Sequence, residues 1–237
     1  CLAAFTARPG IPHDFPRLLA NWDLLLAEKE RITTLLPAHW NGELSMAGAE
    51  ARVEYVRALW SGISRAAAEG TSLADVQAAY RLDTRFPELV GSRGFSAREN
   101  ATTIQEMWSE VTGQASAARA LFQLIDEEAG EPALREVLAE RGRLPSKYYF
   151  DENEINAYGY AFLQQDRVER ALALFKLNVE LFPESWNVYD SLGEALLRAG
   201  DATAAQAMYE KSVALNPDNT NGRDALAKIR EETAATR

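Results

Sequence analysis

A register of 34 residues repeats once toward the C-terminal end of the chain, and a period of that length restricts this stretch to stacked helical hairpins. Tyr158-Gly159 answers to Leu192-Gly193, Ala171 to Ala205, Phe175 to Tyr209 and Pro183 to Pro217. Each pair keeps one residue class, and each class has a physical task. Gly or Ala lets two helices cross closely, the aromatic ring fills the space beside them, and Pro ends the second helix because it has no amide hydrogen to continue it.

In spacing and residue type, Glu152 to Pro217 resembles two tetratricopeptide repeats. The helix expected over Thr220 to Glu231 carries Leu226 and Ile229 on one stripe, as a terminal helix that shields the last repeat from water must. Such arrays normally need about three units to stand alone, so the preceding segment has to supply a packing surface. Leu121, Leu124, Ile125, Leu134 and Leu138 are expected to pack toward the first repeat. The resemblance implies that the first helix of each repeat lines a concave face, which places Asn153, Asn156, Tyr160 and Gln164 beside Asn187, Asp190, Glu194 and Arg198. Amide side chains there offer a donor and an acceptor each to the main chain of an extended peptide. Relatives that clamp a terminal carboxylate use Lys and Arg, and this face has mostly Asn, Asp and Glu, which disfavours an acidic tail. The alternatives at these positions are that the polar side chains face solvent or cap neighbouring helices, or that the chain's own preceding segment fills the groove.

With 237 residues the chain is too long for two repeats alone. Its net charge of -10 repels a phosphate backbone, so nucleic acid is not an expected partner. Leu24-Leu25-Leu26-Ala27, among the longest apolar runs, falls far short of the about 20 residues a membrane-spanning helix requires. One cysteine excludes an intrachain disulfide. Cys1 fits either a cut inside a domain or, as a minor reading, the lipidated first residue of a mature bacterial lipoprotein. Cytoplasmic and periplasmic locations both stay open, as does a homo-oligomer.

Toward the N-terminus, Leu18, Leu19, Trp22, Leu25 and Leu26 predict a helix over Phe15 to Arg31. Arg31 to Leu36 reads as a short buried strand, followed by the turn Pro37 to Gly42 with His39 at its centre. A long helix from Met46 to Glu69 ends at Gly70, and Ser72 opens another with Asp75 three residues on. Trp22, Trp60 and Trp108 fall on apolar stripes and are expected in the core. Gly91, Ser92, Arg93, Gly94 and Phe95 mark an expected domain boundary, with helices to follow over Ala97 to Val111, Ala115 to Ala129 and Pro132 to Arg141.

The order helix, strand, Pro-Ala-His-Trp-Asn-Gly turn and two helices, over Leu2 to Leu89, resembles the C-terminal quarter of a metallo-β-lactamase-fold hydrolase. The resemblance implies that His39 is a metal ligand. An H-x-H-x-D-H motif is absent from the sequence, and a catalytic zinc needs about three protein ligands. Otherwise His39 is a turn residue that caps a strand end, and His13 an exposed loop residue. The expected fold is therefore mainly α: residues 1–91 a small α/β remnant of metallo-β-lactamase type, 92–145 a helical connector, and 146–237 two repeats with a terminal helix. The expected function is a protein-interaction module, not catalytic as it stands and without a cofactor of its own. The alternative is the C-terminal part of a zinc-dependent hydrolase, with zinc bound in a longer parent.

Overall fold

The computed structural model describes residues 14–32, 45–92 and 95–235, and these are mainly α-helical. The chain divides into two compact units, one ending at Gln114 and one beginning at Ala115. The division falls inside the stretch 92–145 read from sequence as a connector, and Gly91 lies within the first unit.

In the first unit, α1 (Phe15–Ala27) starts where Asp14 accepts a hydrogen bond from the Arg17 amide. The helix expected to reach Arg31 stops at Ala27, and Lys29–Arg31 tightens into a 3-10 turn. Arg31 is thus not the first residue of a strand, and residues 33–36, with His13 and the His39 turn, lie outside the described residues. The helix α2 (Met46–Glu69) runs between a Ser45 cap and Gly70, whose φ of 74° gives the left-handed exit that glycine allows without strain. Short helices α3 (Leu73–Ala79) and α4 (Leu82–Arg85) follow. Then α5 (Ala97–Thr112) is opened by a complete Ser96/Glu99 capping box.

Val53, Val56, Leu59 and Ile63 of α2 are buried at helical spacing, as are Ile104 and Met107 of α5. The Tyr55 ring meets Phe86 and Phe95 edge-on at 5.0 and 5.1 Å, and its hydroxyl donates to Asn100 Oδ1 at 2.9 Å. That contact holds Phe95, which the sequence assigns to a boundary, within the first core. Trp22 and Trp108 are buried, and Trp60 stacks on Phe15 at 5.7 Å.

The second unit begins with a two-residue parallel clasp. Strand β1 (Ala115–Ser116) pairs with β2 (Tyr148–Tyr149), and the Ala115 amide donates to the Lys147 carbonyl at 2.9 Å. Between the strands run α6 (Ala117–Asp126) and α7 (Glu131–Leu138). Two helical hairpins follow, α8 (Glu152–Gln164) with α9 (Val168–Leu181) and α10 (Trp186–Arg198) with α11 (Ala202–Leu215), and then α12 (Thr220–Ala235). Pro183 and Pro217 stand two residues past the ends of α9 and α11, as their spacing predicts.

The hairpins close where the 34-residue register puts its small residues. Ala171 and Ala205 are fully buried. A methyl group at Gly159 would come within 2.4 Å of the Phe175 ring, and one at Gly193 within 3.0 Å of Tyr209, so glycine admits the ring of the second helix in both hairpins. Leu121 and Ile125 of α6 are buried in the same core as Ile155, Phe162 and Phe175, with Leu124, Leu134 and Leu138 packed against it. This is the neighbour that two hairpins lack, and it arrives as sequence spacing anticipates. Leu226 and Ile229 close the other end.

Candidate functional site

Helical spacing sets Asn153, Asn156, Tyr160 and Gln164 along one stripe of α8, and Asn187, Asp190, Glu194 and Arg198 along one stripe of α10. Four contacts join α8 to α10. The Tyr160 hydroxyl lies 2.9 Å from Glu194 Oε2 and 3.4 Å from Ser191 Oγ. Glu194 pairs with Arg198 at 3.6 Å, and Arg198 donates to the Leu163 carbonyl at 3.4 Å. At the other end of the helices, Asn187 Nδ2 donates to Glu152 Oε1 at 3.1 Å. Burial pushes the Tyr160 phenol up to about 12, so it remains a donor at neutral pH.

Asp190 serves the fold instead of an open surface. It is 7% exposed and accepts hydrogen bonds from Asn219 Nδ2 at 2.7 Å and Asn221 Nδ2 at 2.8 Å. Asn219 also donates to Ser212 Oγ at 2.9 Å, and its Oδ1 accepts from the Gly222 amide at 3.1 Å. A buried carboxylate is costly unless donors meet it, and two amides at the positive end of α12 do so. Tyr209 is raised by burial, with the Asp190 and Glu194 charges acting in the same direction.

This network carries a sequence signal of its own. Asn153, Asn187 and Asn221 form a column at intervals of 34 residues, and the second and third each donate to an acid on the first helix of the preceding hairpin, Glu152 of α8 and Asp190 of α10. Asn178 and Ser212 are likewise 34 residues apart and fully buried; Asn178 donates to the Glu152 carbonyl at 3.2 Å, while Ser212 accepts from Asn219. Buried polar residues at the repeat interval identify staples between helices, which a reading for small and aromatic positions passes over.

The part of the stripe not taken up in this way lies on α8. Asn153 and Gln164 are exposed. The Asn156 side-chain carbonyl oxygen is shielded from water and has no hydrogen-bond partner among the described residues. Such an acceptor costs about 1–3 kcal/mol while it stays unpaired.

Among the described residues, no group of three or more His, Cys, Asp or Glu side chains is placed to hold a metal ion. No helix among them is long and apolar enough to cross a membrane. Comparison with models of known protein families gives no match, and a search of curated proteins gives no significant relative.

Proposed function

We propose that residues 115–237 are a protein-interaction module of tetratricopeptide type that takes an extended peptide along the α8 and α10 stripes. The observation that carries this reading is the exposed amides Asn153 and Gln164 on the α8 stripe, each able to donate to and accept from the main chain of an extended segment. The two glycine–aromatic crossings at one interval support the repeat type. Tyr160, Glu194 and Arg198 form the part that holds the two stripes in register, while Asn153, Asn156 and Gln164 meet the ligand. Asp190 and Asn187 act through the fold. Selection from a displayed library of random linear peptides is expected to yield binders that lose about tenfold in affinity in the Asn153→Ala/Gln164→Ala double variant, about the loss expected for two hydrogen bonds. Binders indifferent to Asn156, Asn153 and Gln164 substitutions would place the ligand elsewhere.

For residues 1–91 the proposal is a non-catalytic remnant of a metallo-hydrolase-like domain. Its support is the order of α1, α2 and α3 with the Gly70 exit and Ser72 cap. Calorimetric titration is expected to find no sub-micromolar zinc site; one that disappears in His39→Ala would restore the hydrolase reading.

A further inference from the structure

The asparagine column at the repeat interval is not chemically uniform. Asn153 is followed by Glu154 and Asn187 by Val188, but Asn221 is followed by Gly222. The nucleophile that attacks an asparagine side chain is the amide nitrogen of the next residue, and a following residue without a Cβ leaves that approach open. Asn221 is also exposed and sits in the first turn of α12, where amides have no partner within the helical ladder. The Gly222 amide is held instead by a side chain, donating to Asn219 Oδ1 at 3.1 Å.

Two bonds guard this pair in the folded chain. One is the Gly222 amide bond to Asn219; the other fixes the Asn221 side chain toward α10, where its Nδ2 donates to Asp190 Oδ2 at 2.8 Å. Ring closure requires Asn221 to leave its helical backbone conformation. The reaction therefore waits on fraying of the first turn, the kind of low-cost local opening that helix ends show.

We propose that Asn221 is a deamidation site, opened by fraying of the first turn of α12, and that its conversion releases α12 from α10. The Gly222 nitrogen forms a bond to the Asn221 side-chain carbonyl carbon, and the side-chain nitrogen leaves as ammonia, taking up the Gly222 amide proton. Water then adds to either carbonyl of the five-membered imide and breaks one of its ring C–N bonds, which gives aspartate or isoaspartate. Water is the only co-reactant. Either product puts a carboxylate where an amide donor stood. Asp190, 7% exposed, loses one of the two donors that offset its burial and meets a like charge in its place. Leu226 and Ile229, which α12 contributes to the core of the hairpins, are then uncovered.

Incubation of the full chain in mildly alkaline buffer, with peptide mapping for isoaspartate and for a mass gain of about one dalton, tests the site. The other Asn-Gly pair, Asn41-Gly42, maps to a separate peptide. Asn221 is expected to convert about tenfold more slowly in the folded chain than in urea, where the turn is always open. An Asn221 still wholly amidated after about ten half-lives of the unfolded chain would overturn the site. The release of α12 is read by hydrogen exchange at Leu226 and Ile229. Exchange is expected to speed about tenfold in Asn221→Asp, and about threefold in Asn221→Ala, which loses the donor without adding the charge. Exchange no faster in the aspartate variant than in the alanine variant would overturn the release. Isoaspartate protein purified from the incubated wild type gives the same readout without a substitution.

Discussion

In the α8–α9 hairpin the Phe175 ring lies so close to Gly159 that an added methyl would sit 2.4 Å from it, whereas in α10–α11 Tyr209 leaves 3.0 Å beside Gly193. The connecting turns differ as well. Gly200 takes a φ of 84° where the earlier hairpin has Asp166 at 59°, at the same place in the 34-residue register. The later hairpin is stapled to α12 by buried Asp190, and the earlier one is joined to α6 through Ser116. One repeat plan thus tolerates different local solutions, provided that the closest helix crossing keeps a small residue and the neighbouring unit supplies polar partners.

The strongest way to break both hairpins is to fill their fully buried alanines. Ala171→Trp and Ala205→Trp should each cost about 3 kcal/mol or more, at the upper end of overpacking. Thermal melts should show early loss of the second unit, and wild-type melting in both variants would reject the shared register. A finer contrast comes from the glycines. Gly159→Ala should destabilise by about 1–3 kcal/mol because the Phe175 ring has to move. Gly193→Ala should stay within about 1 kcal/mol of the wild type, since the helix preference for alanine offsets a milder contact. Urea midpoints compare the two directly, and equal losses would erase the difference between the hairpins.

The smallest effect belongs to the turns. Asp166→Gly should gain about 0.5–1 kcal/mol by relieving a left-handed backbone, and Gly200→Asp should lose a similar amount. Denaturant curves resolve changes of that size. The same sign in both variants would show that the turns are not equivalent positions.

The hairpins were legible in the sequence because Gly, Ala, aromatic and Pro residues at one interval each have a single structural use there. The packing of Leu121, Ile125 and Leu138 against them followed from the apolar face that two hairpins leave bare. Asp190 was harder to place. Spacing sets it on the α10 stripe, but its burial depends on Asn219 and Asn221, which lie beyond the next helix and reach it only in three dimensions. Glu154 shows the same limit, since the Ser116 hydroxyl that donates to it lies 38 residues away. The place of Phe95 in the first core likewise depends on Tyr55, whereas the adjacent Gly and Ser residues signal only a break in periodicity.

A peptide on the face along α8 and α10, as proposed, would leave a mark on these helices. The most direct measurement is an amide-resolved footprint of the full chain saturated with a library-selected peptide, by chemical shift or by hydrogen exchange. The largest changes are expected on α8 around Asn153, Asn156 and Tyr160 and on α10 around Glu194 and Arg198, and the Asn156 side-chain amide is expected to shift on binding. A footprint confined to α9 and α11, or to residues 14–114, with the Asn156 amide unmoved, would contradict the proposed site.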